Sequence, residues 1–503
     1  MSALQAGIGR LGVVLAAGAI LPFAFAPYGY HPLALPCLGV LFWSWDGAGR
    51  KEAVIVGALF GLGMFAHGVS WIQVSIHQFG MPLYSFSVAV TAAFVLFMCV
   101  YPALCGYIVS SFPAPHRLAR ILFLCPVAWT VTEVLRGSLF TGFPWLLVGY
   151  SQVDSPIAAF APLVGVYGVS FVAALVAAGL LVLWRGDAVW RSAAAAILGG
   201  VVVATIVLDT VGWTSSIGKG RRVALIQGAI PQAVKWSGAY RQPTVELYTH
   251  LSEPHWGKSM IVWPETAIPA FPQEVPETIA ELNARAKRSG TTLLVGMPTG
   301  DRSDGGVYFN SVVQFGTDRG QYDKRHLVPF GEYLPFDSWM RPLTTFLRIP
   351  MSNFSAGAME QPPLSANGYA IGVSICYEDA YAGEVARALP PANVLVNVSN
   401  DAWFGDSIAP HQHLQIARMR ALESGRYLLR ATNTGISAII DHRGEIVADS
   451  QQFVADVVSG EMVPRAGSTP AVKYGATLIV SLCITVLLTF AIVGTWRRRP
   501  TGS

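Results

Sequence analysis

Charge is what this chain has least of. Only 13% of its 503 residues are Asp, Glu, Lys or Arg. That is about half the share of an ordinary soluble domain, so a fully soluble globule is excluded. Disorder is excluded too, because disordered chains are polar and poor in aromatics, whereas this one is 52% hydrophobic and 11% aromatic. The net charge is +4, too weak and too scattered for a nucleic-acid surface. Cysteine is scarce as well. Of the six, Cys37, Cys99, Cys105, Cys125 and Cys483 fall in apolar stretches, where a thiol behaves as a small hydrophobe. Cys376 alone lies in a polar region, so no disulfide can form within that region. Internal repeats and low-complexity tracts are lacking.

The few charges are also uneven. Lys and Arg number 34 and Asp and Glu 30, yet only 14 of them precede residue 213. A bilayer-spanning helix needs about 20 mostly apolar residues. Such stretches occur at 9–27, 30–45, 53–75, 84–111, 120–136, 156–184, 192–212 and 472–495. The expected organisation is therefore a bundle of seven membrane helices over 1–212, an inserted domain over 213–471, and a last membrane helix with a basic tail over 472–503. Ala24-Phe25-Ala26 imitates a signal-peptide cleavage site, but Pro27 and further apolar stretches follow, so the first helix is read as retained. Arg50, Lys51, Arg117, Arg120, Arg185, Arg191 and the Arg497–Arg499 tail all fall on one side of eight spans. Positive charge marks the cytoplasmic side, which puts 213–471 on the periplasmic, extracytoplasmic side.

Residues 220–465 alternate short β-branched runs with helical patterns. Val223–Gln227, Met260–Trp263, Thr292–Gly296, Val307–Phe315, Tyr369–Ile375 and Val394–Val398 read as strands, and Glu277–Ser289 and His411–Arg430 as helices. Ser437–Asp441 and Glu445–Val447, joined by Arg443-Gly444, read as a hairpin. Interleaved strands and helices point to a layered domain of the α/β or α+β kind.

The chemistry gathers in three segments. Gly372-Val373-Ser374-Ile375-Cys376-Tyr377-Glu378-Asp379 runs an apolar strand straight into a thiol, which is how a nucleophile is presented at the end of a sheet. Trp263-Pro264-Glu265 places a carboxylate just after another strand. Lys324-Arg325-His326-Leu327-Val328-Pro329-Phe330-Gly331-Glu332 places an ammonium and a second carboxylate in one loop. A thiol, a base, an ammonium and a supporting carboxylate are a full set for acyl transfer. A lone cysteine is more often an inert buried thiol, and each of these charges taken alone is more often a solvated surface group. It is the combination that argues otherwise.

In this order and spacing the three segments resemble the nitrilase, or carbon–nitrogen hydrolase, superfamily. With the apolar stretches around them, the whole chain resembles the bacterial apolipoprotein N-acyltransferases. Gln227 through Trp236, Phe143-Pro144-Trp145 and Ser399 through Phe404 fit that family as well. The resemblance implies a polytopic membrane protein of about eight transmembrane helices carrying an α-β-β-α nitrilase-like sandwich. It implies that Glu265 is the general base, Cys376 the nucleophile and Lys324 the oxyanion stabiliser, with Glu332 supporting the lysine and Trp236, Tyr377 and Glu378 at positions required around the site. It further implies transfer of an acyl chain from a glycerophospholipid such as phosphatidylethanolamine, through a thioester, to the S-diacylglyceryl-cysteine amine of an apolipoprotein. Neither a metal nor a dissociable cofactor is called for, and the expected assembly is a monomer in the bacterial cytoplasmic (inner) membrane.

The physical logic agrees. A thiol near pKa 8.5 is mostly protonated at neutral pH and needs a base or a cation to activate it. An amidase working on water-borne substrates needs no membrane helices, but a diacyl lipid stays in the bilayer because each buried CH₂ contributes about 0.8 kcal/mol. A membrane-anchored amide hydrolase would use the same triad with water as acceptor, and a transporter or receptor with a relic domain would not retain Glu265, Lys324 and Cys376 together. His411-Gln412-His413 invites a zinc reading, but histidines two apart on a helix point to different faces. Trp43, Trp45, Trp71 and Trp145 read as packing or interfacial aromatics. Glu133 and Arg136 read as a pair at a helix end. Gly12-x-x-x-Ala16 and Gly57-x-x-x-Gly61 read as small-residue packing motifs.

Overall fold

The computed structural model describes residues 3–80, 83–301, 306–334 and 353–498. Arg499 of the basic tail lies outside them. The chain divides into two compact units. One comprises Met1–Gln73, Ser85–Val211 and Tyr474–Ser503, and the other Val74–Tyr84 and Gly212–Lys473.

The first unit is helical. Among the described residues four helices are long and apolar enough to cross a membrane: Tyr84–Ser111, Arg117–Thr141, Pro156–Arg185 and Ala188–Asp209. A fifth arises if Arg50–Gly68 is joined to the bent segment that follows it, and Gly9–Ala24 and Thr477–Val493 are shorter apolar helices. Close packing rests on small residues. A Cβ on Gly57 would lie 2.1 Å from the Pro102 carbonyl oxygen, and one on Gly61 3.2 Å from the Cys99 Cα. Gly12, by contrast, meets nothing within 4 Å, so the first small-residue motif is not a contact. Glu133 and Arg136 do approach, at 3.9 Å, but they are buried and do more than pair. Arg136 donates to the carbonyls of Phe143, Trp145 and Leu146, and Glu133 accepts from the Val148 amide at 2.8 Å. Together they tie down the Phe143-Pro144-Trp145 turn.

The second unit holds all the strands: β1 (Thr214–Ser216), β2 (Arg221–Gln227), β3 (Met260–Val262), β4 (Thr292–Gly300), β5 (Tyr308–Phe315), β6 (Gly320–Asp323), β7 (Leu364–Ala366), β8 (Tyr369–Ile375), β9 (Val394–Ser399), β10 (Leu428–Thr432), β11 (Ala438–Ile440), β12 (Ile446–Asp449), β13 (Asp456–Met462) and β14 (Arg465–Gly467). They form two six-stranded sheets, ordered β13-β2-β3-β4-β5-β6 and β12-β11-β10-β9-β8-β7, and a small β1-β14 ribbon. Each large sheet is parallel at its centre (β2-β3-β4 and β8-β9-β10) and antiparallel towards its edges.

Strand alternation explains the layers. Val223, Leu225, Met260, Val262 and Leu294 of the first sheet share one core with Ile371, Val373, Val394, Val396 and Val398 of the second. Their neighbours Ala224, Ile226, Ile261, Leu293 and Val295 face outward onto Val245 and Tyr248 of the helix Gly238–Ser252 and Leu282 and Ala286 of the helix Pro276–Ser289. On the far side Leu395, Leu428 and Ile440 pack under Leu414, Ala417 and Ala421 of the helix Ala409–Ser424. The period of two residues sends alternate side chains to opposite faces, and the result is an α-β-β-α sandwich.

The helix expected over His411–Arg430 is shorter. It ends at Ser424 because Gly425 takes the left-handed cap conformation, φ +62, and residues 428–432 become β10. The segment Ile76–Gly80, set between apolar stretches in the sequence, belongs to the sandwich unit. Ser75 donates to the Trp403 carbonyl at 2.6 Å, and the Phe79 and Trp403 rings lie 4.9 Å apart.

Candidate active site

The three residues expected to form a catalytic triad leave their strands at separate points. Glu265 follows parallel strand β3, Cys376 follows parallel strand β8, and Lys324 follows edge strand β6. The carboxyl ends of parallel strands are where α/β sheets open onto ligands. Gly296 on β4 lets the Glu265 turn lie flat on the sheet, since a Cβ there would sit 2.3 Å from the Pro264 carbonyl oxygen.

Lys324 is 1% exposed. Its ammonium lies 2.8 Å from Glu332 and 3.7 Å from Glu265. Burial would lower its pKa, but Glu332, Glu265 and the Cys376 thiol outweigh that and hold it above the usual lysine range. Lys324 is therefore a fixed cation. Asn310 on β5 joins the two carboxylates, donating to Glu265 Oε1 at 2.7 Å and to Glu332 Oε1 at 3.0 Å. The backbone amide of Val328 caps the other Glu332 oxygen at 2.8 Å.

Cys376 is held with φ +52, a left-handed conformation that costs a non-glycine residue about 1–3 kcal/mol. It turns the thiol out of the strand and opens the short helical turn Cys376–Ala380. Burial, then the negative charge of Glu265, push this thiol above its ordinary range, while Lys324 pulls the other way. At neutral pH the resting side chain is therefore a thiol, which could act as a nucleophile only with a base to take its proton. Glu265 is 7% exposed and is oriented by Asn310 and Lys324.

Glu378 is fully buried and accepts four hydrogen bonds. Oε1 takes the amides of Arg325 and His326 at 2.7 and 3.0 Å, and Oε2 takes the Tyr322 hydroxyl and the Ile375 amide at 3.0 and 2.7 Å. It thereby fastens the loop that begins at Lys324 to the end of β8, just before Cys376. Tyr377 stacks edge-on against His326 and Tyr381 and hydrogen-bonds the Tyr381 hydroxyl. Burial pushes its phenol up to about 12, so it stays neutral. Trp236, at the end of the helix Gln232–Lys235, is 48% exposed.

Behind Cys376 lies a group that the sequence did not announce. Arg430 bridges Asp379 and Asp401 at 3.1 and 2.9 Å, and His413 bridges the same two carboxylates at 2.9 Å each. All four are essentially unexposed. Burial and Arg430 would lower the imidazole, but the two aspartates raise it to about 9. His413 is thus an ion-pair partner within the core, and His411 instead contacts Gln452 at 2.8 Å. Arg430 also orients Asn397, whose amide donates to the Cys376 carbonyl at 3.1 Å. The available signals were a charged residue inside the apolar run Leu428-Leu429-Arg430-Ala431, and a buried amide, Asn310, within the β5 run.

Comparison with known proteins agrees with this geometry. Residues 17–179 match the apolipoprotein N-acyltransferase N-terminal domain, and residues 222–471 match the carbon–nitrogen hydrolase domain. The apolipoprotein N-acyltransferase of Methylococcus capsulatus is 45% identical over 478 residues, covering 94% of each chain. Those of Photobacterium profundum and Nitrosomonas europaea are 38% and 39% identical, covering 93% and 98% of this chain and 92% and 99% of theirs. The match runs through the apolar part as well as the sandwich, which a membrane-anchored hydrolase would not require. The chain belongs to the apolipoprotein N-acyltransferase family.

Proposed function

We propose that this protein moves a fatty acyl chain from a glycerophospholipid such as phosphatidylethanolamine to the α-amine of the S-diacylglyceryl-cysteine that begins a diacylated apolipoprotein. Glu265 takes the Cys376 proton as sulfur attacks the ester carbonyl carbon. Lys324 stabilises the resulting oxyanion, a contribution of roughly 3–4 kcal/mol for a preorganised donor. Collapse breaks the ester C–O bond, and protonated Glu265 returns the proton to the departing lysophospholipid oxygen. The neutral amine then attacks the thioester, Glu265 accepts its proton, and the amide forms as the sulfur leaves and is reprotonated. Glu332 keeps Lys324 charged and aimed, while Glu378 and Tyr377 set the two loops and Trp236 lines the approach.

The observation that carries this reading is the buried Glu265–Asn310–Glu332–Lys324 cluster in the same sandwich as a thiol held out of its strand, within a chain of this family. Residues 213–471 form the catalytic domain on the periplasmic side of the inner membrane, with seven helices before it and one after it, and the monomer suffices. The deciding experiment incubates purified protein with phospholipid and a diacylated lipopeptide and reads the peptide by mass spectrometry. One added acyl mass on the amine is expected; release of free fatty acid alone would sink the transferase reading. A topology reporter inserted after Pro298 should register the periplasm, and a cytoplasmic signal there would overturn the placement.

A further inference from the structure

Lys235 closes the short helix Gln232–Lys235 and is 2% exposed. Its ammonium donates to the backbone carbonyl of Glu265 at 2.9 Å. Among the described residues no carboxylate lies within 4.0 Å of it, although every other buried cation around this site has one. A buried ammonium without a paired anion is costly, and such violations of packing logic are expected at functional sites. The reacting groups it faces are Glu265 and Cys376. Burial draws Lys235 down to about 8, while those two groups pull it back up, so it is mostly charged at neutral pH.

Charge counting shows why a second cation matters. Lys324 is shared between Glu265 and Glu332, so those three groups carry one negative charge in excess before any chemistry. Asp401 also faces the thiol, but Arg430 and His413 match it. Glu378 adds to the negative side. Proton transfer from Cys376 to Glu265 leaves that excess negative charge in place and moves it onto the sulfur or the oxyanion, in low-dielectric space where an unbalanced charge is costly.

We propose that Lys235 is the second cation of this active site: a positioning residue, anchored on the Glu265 carbonyl, whose positive charge favours the Cys376 thiolate and the oxyanion that follows. The proposal rests on Cys376 being the nucleophile. It assigns the segment preceding Trp236 an electrostatic task in acyl transfer, distinct from lining the approach.

The test uses the full-length protein in detergent micelles, with phospholipid added only for the acylation measurement. Lys235→Gln keeps a hydrogen-bond donor and removes the charge, while Lys235→Arg keeps both. Two rates are followed against pH: alkylation of Cys376 by iodoacetamide, and formation of its acyl thioester from phospholipid, both read on the Cys376 peptide. Lys235→Gln should alkylate about tenfold more slowly at pH 7, with its profile displaced upward by about one pH unit, and should acylate correspondingly slowly. Lys235→Arg should recover most of both rates. A folded Lys235→Gln whose alkylation profile superimposes on that of the unsubstituted protein would overturn the proposal, because a purely structural hydrogen bond is all that would remain. Should Lys235→Gln fail to fold, the alkaline limb decides. Thioester formation by the unsubstituted protein should fall as pH rises past about 8, and Lys235→Arg should remove that fall; identical limbs would refute it. If the unsubstituted protein never acylates Cys376, the nucleophile assignment fails first, and this proposal with it.

Discussion

Asn310→Asp is the most exacting substitution this site offers. It changes one NH₂ group to oxygen and nothing in shape. The Asn310 amide donates to Glu265 Oε1 at 2.7 Å and to Glu332 Oε1 at 3.0 Å, and the residue is 3% exposed. Hydrogen bonds to charged groups contribute roughly 1.5–3 kcal/mol each, so the two together hold the carboxylates by about 3–6 kcal/mol. The substitution removes both and sets a third anion beside two others, with Lys324 the cation that must hold all three. Even if only the lower figure reaches the transition state, acylation slows by at least about 100-fold, since each 1.36 kcal/mol is tenfold. The assay is single-turnover formation of the Cys376 thioester from phospholipid, read by mass spectrometry across pH. The introduced carboxyl should regain a donor when protonated, so the variant's relative rate should recover as pH falls towards 5, opposite to any general loss of structure. Acylation within threefold of the unsubstituted protein at pH 7.5 would refute the claim that Asn310 aligns base and lysine.

Three further outcomes are expected. Lys324→Arg should lose about 100-fold or more in turnover, because a planar guanidinium aims its donors differently from the compact ammonium enclosed by Glu332 and Glu265; near-normal transfer would reduce Lys324 to a diffuse charge. Phospholipid alone should add one acyl mass to the Cys376 peptide, removable by neutral hydroxylamine, with Cys376→Ala unlabelled and Cys376→Ser almost inactive; a label on another residue would contradict the thioester. His413 has a folded pKa raised to about 9 from 6.5, so its pairing with Asp379 and Asp401 is fully present below pH 6.5 and is lost as pH rises through 9. Thermal stability should therefore drop between pH 6.5 and 9.5, and His413→Gln should flatten that slope; an unchanged slope would show that His413 is not the group titrating.

The strands were largely legible because their cause is local. Val223–Gln227 alternates between two cores, and alternation is a property of neighbouring residues. Tyr369–Ile375 ends where a polar run begins, and β8 ends there too. The helix over 411–430 misled because Arg426 through Arg430 carries a helical pattern, while the left-handed cap at Gly425 and pairing of β10 beside β9 override it. β6, β7, β13 and β14 are short or partly exposed, and gain their identity only from partners far along the chain.

The sequence by itself singled out the candidate groups: Glu265 and Cys376 are recognisable because each follows an apolar run, and Lys324 and Glu332 because they share one compact loop motif. It also indicated that apolar helices accompany a more polar, layered domain, since length and hydrophobicity are read directly from the sequence. The tertiary structure alone decided what those groups are to one another. Asn310 reaches Glu265 across 45 positions, Tyr322 reaches Glu378 across 56, and Lys235 reaches the Glu265 carbonyl across 30. It alone showed that His413 is an ion-pair partner and that Lys235 is, among the described residues, a cation without a carboxylate within 4.0 Å. The energy of a charge depends on its burial and on what lies within a few ångströms, and neither can be read along the chain when the neighbours come from separate strands and sheets.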